Sequence, residues 1–200
     1  MMDVTSDIGE IILKEIIAIS GLSNVLHTNE DKHIYGRDET EDLHFVPAVV
    51  VKPANAEEIS AILKLANREK IPVTPRGAGT RHAVEAKGLF YPPDAASRGS
   101  CFLGGNLAEN AGGPKAVKYG TTKDYVLNCE VVLPTGEIIW TGANVLKNST
   151  GYNLTQLIVG SEGTLGIITK IVFRLIPLPT QNLLMLIPFF SPEKACEAVS

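Results

Sequence analysis

Ile8, Ile12, Ile16 and Ile19 recur at steps of three and four. That spacing lines one face of a helix, and Gly21 is a natural stop. Residues 27–45 follow as a polar connection holding three of the four histidines, His27, His33 and His44. The run Phe45–Lys52, with Val49, Val50 and Val51, reads as a strand ended by Pro53. Asn55 and Glu58 stand at capping-box spacing. Ile59, Ile62, Leu63 and Ala66 then form one apolar helical face. Ile71–Thr74 reads as a short strand, so this block has a β-α-β pattern. It runs directly into Pro75-Arg76-Gly77-Ala78-Gly79-Thr80, and a glycine loop past a strand's carboxyl end is a common ligand position in α/β folds.

Further along, Tyr125–Leu133 reads as a strand, Pro134–Glu137 as a turn and Ile138–Thr141 as the hairpin partner. Leu154–Val159 has the spacing of a short helix, and Leu165–Leu175 is strand-like. Pro177 and Pro179 mark a boundary. A new apolar run, Leu183–Phe190, leads to Ser191-Pro192-Glu193, a helix start with Pro at its first position.

The chain has 200 residues, 44% of them apolar and 20% charged. That is a globular mixture, sized for one domain with room for the start of a second. The net charge of -4 argues against nucleic acid as a partner. No apolar run is long enough to span a bilayer. The acidic start lacks the order of a secretory signal, and Cys101, Cys129 and Cys196 are too scattered for a disulfide framework. The expectation is a cytoplasmic protein of a reducing compartment.

Several motifs fail on inspection. Gly77-Ala78-Gly79 lacks the third glycine of a dinucleotide fingerprint, since position 82 is His. No Gly-Lys pair exists for a phosphate loop. Gly160-Ser161-Glu162-Gly163 is one residue out of step with a nucleophile elbow. The histidines have no metal-ligand spacing, so no metal is expected. Cys101 reads as a small packing residue with no base paired to it.

Three glycine clusters remain, and 15 of the 18 glycines lie between Gly77 and Gly166. The first is Arg76–Thr80. The second runs from Gly104-Gly105 through Asn110-Ala111-Gly112-Gly113. The third is Gly160-Ser161-Glu162-Gly163-Thr164-Leu165-Gly166, followed by Ile167. Backbone N–H groups with no Cβ in the way can form an anion-binding concavity. Arg76 could add charge, and Thr80 and Ser161 could add hydroxyl donors. Tight turns in a small sheet domain are the alternative reading.

These clusters carry a resemblance. The stretches Ile71–Thr80, Pro92-Pro93-Asp94, Ser97–Cys101, Gly104–Pro114, Lys118-Tyr119-Gly120 and Val132–Gly136, with the third cluster, resemble the FAD-binding domain of the vanillyl-alcohol-oxidase (PCMH) type. The branch is that of the glycolate oxidase D subunit and D-lactate dehydrogenase. The resemblance implies an α+β fold of two α/β subdomains with FAD between them. It implies an N-terminal helix and connection over 1–45, the FAD-binding domain over 46–180, and the beginning of a C-terminal substrate domain over 181–200. The cofactor-binding residues implied are Arg76, Gly77, Ala78, Gly79 and Thr80 at the pyrophosphate, Gly104, Gly105, Asn110, Gly112 and Gly113 along the flavin and its phosphates, and Gly160, Gly163, Gly166 and Ile167 at the flavin or adenine side. The implied activity is oxidation of a D-2-hydroxy acid such as glycolate or D-lactate to the 2-oxo acid. Electrons would pass to an acceptor or a partner subunit.

The sequence departs from that family after Thr80. Arg81-His82-Ala83-Val84 stands where the family continues through a further glycine-rich stretch and additional strands. The domain therefore reads as internally shortened and incomplete. The substrate-facing residues of the family have no counterparts here, so no catalytic residue is assigned. A catalytically inactive remnant, or a partner-subunit module keeping part of the flavin scaffold, is the alternative to an active oxidoreductase.

Overall fold

The computed structural model describes residues 8–37, 44–77, 87–93, 102–181, 183 and 185–198. Among them are seven α-helices and seven short strands. Helix α1 (Glu10–Ser20) ends at Gly21, which sits at φ 81 as the helix stop expected from the isoleucine spacing. The polar connection is more ordered than its composition suggests. Just after β1 (Val25–Leu26) it holds a one-turn helix α2 (Asn29–His33), whose cap Thr28 accepts the backbone N–H of Asp31.

The expected strand at 45–52 shrinks to β2 (Val50–Val51), antiparallel to β1. Pro47 has no N–H for a ladder. The carbonyl of Ala48 is taken by Lys32 Nζ at 3.0 Å. Helix α3 (Ala56–Glu69) begins where the sequence places it. Asn55 Oδ1 accepts the N–H of Glu58, and the Glu58 carboxylate reaches back to the N–H of Ala54. Such a cap contributes about 1 kcal/mol.

The expected strand at 71–74 does not form. Lys70 adopts the left-handed conformation at φ 59, and the N–H of Ile71 closes the helix end by donating to the carbonyl of Ala66. The backbone then continues through 77 without a ladder. The glycine loop is thus reached from a helix end, and the β-α-β pattern is not realised in this segment.

A three-stranded antiparallel sheet forms the second half, in the order β5-β4-β6. Its strands are β4 (Val126–Val132), β5 (Ile138–Trp140) and β6 (Ile167–Phe173). The hairpin turn at Pro134–Gly136 matches the sequence pattern, and Gly136 takes φ 85. Tyr125 closes a short 3-10 turn before β4; its hydroxyl donates to the carbonyl of Tyr119 at 2.7 Å. A small ribbon, β3 (Leu89–Phe90) with β7 (Ile176–Pro177), has no clear periodic signal. At the described positions of 183–190 there is no regular structure and the apolar side chains are exposed.

Two cores result. Ile16, Val25 and Leu65 gather α1, α3 and the β1–β2 ribbon. Leu107, Val126, Cys129, Val131, Ile158 and Val159 fill the second, between the sheet and the helices α4 (Leu103–Ala108) and α6 (Leu154–Ile158), with the one-turn helix α5 (Ala116–Tyr119) between those two in the chain. Helix α3 belongs to both neighbourhoods, since its Ala56 and Leu63 pack on Val132 with Ile59 and Ile167 beside them. A buried polar network ties α6 to the hairpin. Thr141 Oγ1 lies 2.8 Å from Thr155 Oγ1 and accepts the N–H of Cys129, and Asn128 Oδ1 accepts the N–H of Gly142.

Two outcomes check this packing. Cys129 is fully buried, and burial pushes its thiol up to about 11, whereas Cys196 is exposed. Because the thiolate is the nucleophile, brief treatment with iodoacetamide at pH 8 is expected to modify Cys196 and spare Cys129 until the protein is unfolded. Peptide mass spectrometry reads both sites. Glu130, buried on β4, has its carboxylate lowered from the ordinary 4.5, first by the hydrogen bond from Lys170 Nζ at 2.9 Å and further by Thr169. A lowered folded value contributes stability above the unfolded value, and that contribution is lost as pH falls through the folded one. Urea denaturation of Glu130→Gln is expected to show a deficit against the parent at pH 7 that narrows below pH 4.5.

Candidate functional site

The three glycine clusters meet. A Cβ on Gly77 would lie 3.4 Å from the backbone nitrogen of Gly105 and 3.5 Å from the Cα of Gly104. The first and second clusters therefore lie side by side, with their backbones within reach of one another and no side chain between them. The second and third clusters are joined by hydrogen bonds. The N–H of Gly160 donates to the carbonyl of Leu107, and that of Glu162 to the carbonyl of Ala108, each at 2.9 Å. A Cβ on Gly160 would stand 3.2 Å from Asn110 Cβ, and one on Gly163 would stand 3.0 Å from Pro75 Cγ. The third cluster thus reaches back to the segment that opens the first.

The clusters differ in what their backbone is doing. In the third, the N–H groups of Gly160, Ser161, Glu162 and Thr164 are all spent on carbonyls of the chain itself. The expectation that every cluster offers free N–H groups is corrected there: Gly160 and Glu162 donate to the second cluster's helix, and Ser161 and Thr164 donate within their own turn. Asn110, at φ 51, is likewise a brace, since its Oδ1 accepts the N–H of Lys123 at 2.9 Å. Gly112 stands against Ala116 and Thr121, and the carbonyl of Gly113 accepts the N–H of Ala116. Gly166 packs on the sheet, where a Cβ would come within 2.6 Å of Val131 Cγ1, and Ile167 packs beside α3. The described contacts of these last two are with the core. Ala78, Gly79 and Thr80 lie outside the described residues, as do His82 and Cys101.

Beside Gly77 is a cationic group. Arg76 stands over the ring of Tyr35, 5.7 Å from its centroid, and Lys52 Nζ stands 5.6 Å from the same centroid. Both distances fall within cation–π range. Neither cation has an acidic partner among the described residues. Tyr35 and Lys52 went unnoticed in the sequence because each is ordinary in its own segment. Only the fold brings them to Arg76. Among the described residues, no group of three or more His, Cys, Asp or Glu could hold a metal ion, and no helix is long and apolar enough to cross a membrane.

Comparison with known proteins gives this geometry a context. A family model described as an FAD binding domain matches in two blocks, residues 47–85 and 81–142. The solved structures of alkyldihydroxyacetonephosphate synthase in two crystal forms superpose with TM-scores of 0.70 and 0.66, at 18% and 20% identity; each match covers 90% of this chain and 44% of the other. The chain folds as an α+β FAD-binding domain of the vanillyl-alcohol-oxidase type. Among curated proteins, the chain is similar to an oxidase subunit and to dehydrogenases. Glycolate oxidase subunit GlcD of Bacillus subtilis (strain 168) is 35% identical over 241 residues, covering 98% of this chain and 50% of the relative. D-lactate dehydrogenase of Anaerostipes hadrus is 37% identical, with 86% and 44% covered. D-2-hydroxyglutarate dehydrogenase of Xanthomonas citri pv. viticola is 32% identical, with 80% and 44% covered. The chain spans about half the length of the curated relatives it matches.

The first alignment runs over 241 positions although the chain has 200 residues. The relative therefore carries residues within that span that have no counterpart here. The two blocks of the family model meet at 81–85, where the sequence departs from the family pattern. Toward an FAD, the residues present offer the backbone of Gly77, Gly104 and Gly105 beside Arg76 and Lys52, two cations with no acidic partner among the described residues.

The junction between the first and third clusters can be tested by substitution. Gly163 combines φ 76 with a close approach to Pro75, so Gly163→Ala is expected to cost about 1–2 kcal/mol from backbone strain and crowding. Its neighbour Glu162 already occupies the left-handed region at φ 52, so Glu162→Gly is expected to leave stability unchanged or raise it. Urea denaturation of both variants beside the parent measures the contrast.

Proposed function

We propose that this chain serves as a flavin-holding module of the D-2-hydroxy-acid oxidoreductase type, and that holding FAD, rather than turning over a substrate by itself, is its activity. The observation that carries this reading is the junction of Gly77 with Gly104 and Gly105, backbones side by side. The match of a family model described as an FAD binding domain supports the flavin reading. Lys87 onward, with the second and third clusters, would supply the flavin side of the pocket, and Arg76–Thr80 the pyrophosphate side.

FAD, when bound, would supply the two-electron chemistry, and the protein would supply orientation and electrostatics. Arg76 would neutralise pyrophosphate charge. Gly104 and Gly105 would let the cofactor approach the main chain, and the segment from Asn110 to Gly113 would line it. Gly160 and Gly163 would hold this wall in place, with Gly166 and Ile167 fixing it to the sheet. In an assembly that completes the site, the substrate would be a D-2-hydroxy acid such as glycolate or D-lactate. The product would be the 2-oxo acid, with electrons leaving to an acceptor or partner subunit. The names of the relatives support that substrate class.

The test is an absorbance spectrum of the purified chain after incubation with FAD and desalting. The expected result is retained flavin bands with no reduction of a dye acceptor by glycolate or D-lactate. A folded but colourless eluate would overturn the flavin reading. Flavin retention with dye reduction would overturn the restriction to a module and make the chain an oxidoreductase in its own right.

A further inference from the structure

We infer that Lys52 is a second phosphate-binding cation, brought to the same Tyr35 ring as Arg76, and that the two cations together clamp the diphosphate of a dinucleotide. The inference rests on the flavin reading for the identity of the dinucleotide, but its geometry stands apart from it. Three separate segments converge to build the group. Tyr35 follows α2, where its N–H donates to the carbonyl of Lys32 at 2.9 Å, and its side chain is half-buried. Lys52 follows β2, where its N–H donates to the carbonyl of Asn24 at 2.9 Å. Arg76 precedes the glycine that lies beside the second cluster.

Both cations are exposed at the ends of long side chains that would otherwise sample many rotamers. The shared ring restrains them, at 5.6 and 5.7 Å from its centroid. Two like charges near one ring repel, and an anion beside both would offset that repulsion. Surface cations with that freedom ordinarily find a carboxylate, as Arg68 does with Glu15 and Glu69. Lys52 and Arg76 have none among the described residues. A diphosphate matches this arrangement better than a carboxylate, because it brings two negative charges to two cations. Arg offers a planar fork and Lys a point charge, a pairing suited to a multi-oxygen anion.

The experiment measures binding of FAD, of riboflavin and of inorganic pyrophosphate to the parent, to Lys52→Met and to Lys52→Arg. Circular dichroism confirms folding of each. Lys52→Met is expected to weaken FAD and pyrophosphate by roughly tenfold at low salt, an effect that shrinks as salt screens it. Riboflavin, which has no phosphate, is expected to be indifferent, and Lys52→Arg is expected to restore most of the loss. Equal FAD and pyrophosphate binding by parent and Lys52→Met would overturn the clamp while leaving the flavin reading intact. If the parent binds neither flavin, that reading fails and pyrophosphate alone decides. Binding that Lys52→Met weakens would uphold the clamp, and absence of pyrophosphate binding would overturn it.

Discussion

Two backbone hydrogen bonds, from Gly160 and Glu162 to the carbonyls of Leu107 and Ala108, set the geometry on which the site depends. They fix the third glycine cluster against the helix that carries the second. Leu107 is fully buried at this point, in the same core as Val131 and Ile158. The loops therefore cannot separate without opening the core. Two of the third cluster's N–H groups make this joint, so at Gly160 and Glu162 its backbone serves as support. The backbone left to meet a ligand is that of the first and second clusters, around Gly77, Gly104 and Gly105. Glycine is needed in both places, but for different reasons: close packing in one, an uncovered main chain in the other.

The joint is coupled to the rest of the fold through α3. One face of that helix closes the N-terminal core through Leu65, while Ala56 and Leu63 pack on Val132 of the central strand. The same helix ends at Lys70 and hands the chain to Pro75, which Gly163 crowds. A single helix thus determines where the Arg76 loop arrives relative to the sheet. Lys70 takes the left-handed conformation on this route at φ 59, and Asn110 and Glu162 take it in the second and third clusters at φ 51 and 52. Strain of that kind persists where surrounding contacts over-determine the backbone.

The periodic parts of the chain were legible in the sequence. The helices at Glu10–Ser20 and Ala56–Glu69 follow from their apolar spacing and end signals, and the hairpin of β4 and β5 from its alternating runs around Pro134–Glu137. The strand expected at 71–74 was not, because apolar composition says nothing about whether a partner strand is present. Without one, the N–H of Ile71 goes to the helix end. The glycine clusters were legible as clusters, but not the division of labour among them. That division depends on which carbonyls the folded loops present to each other. Tyr35 and Lys52 carried no signal at all, since their meaning lies in proximity to Arg76 and not in local pattern.

The location of the break in the family match bears on whether a flavin site survives. The two matched blocks meet at 81–85, and the alignment to the Bacillus subtilis relative is longer than this chain. A site built wholly from one side of that join would be blind to it. The junction is instead built from both sides, with Pro75, Arg76 and Gly77 before it and Gly104, Gly105, Leu107 and Gly163 after it. Gly77 and Gly105 thus lie side by side across the join. Tyr35 and Lys52, which come earlier in the chain, add their cation–π contacts to the near side. What the relatives possess beyond this chain can therefore enlarge or complete the pocket, but its two walls are already brought side by side by residues present here.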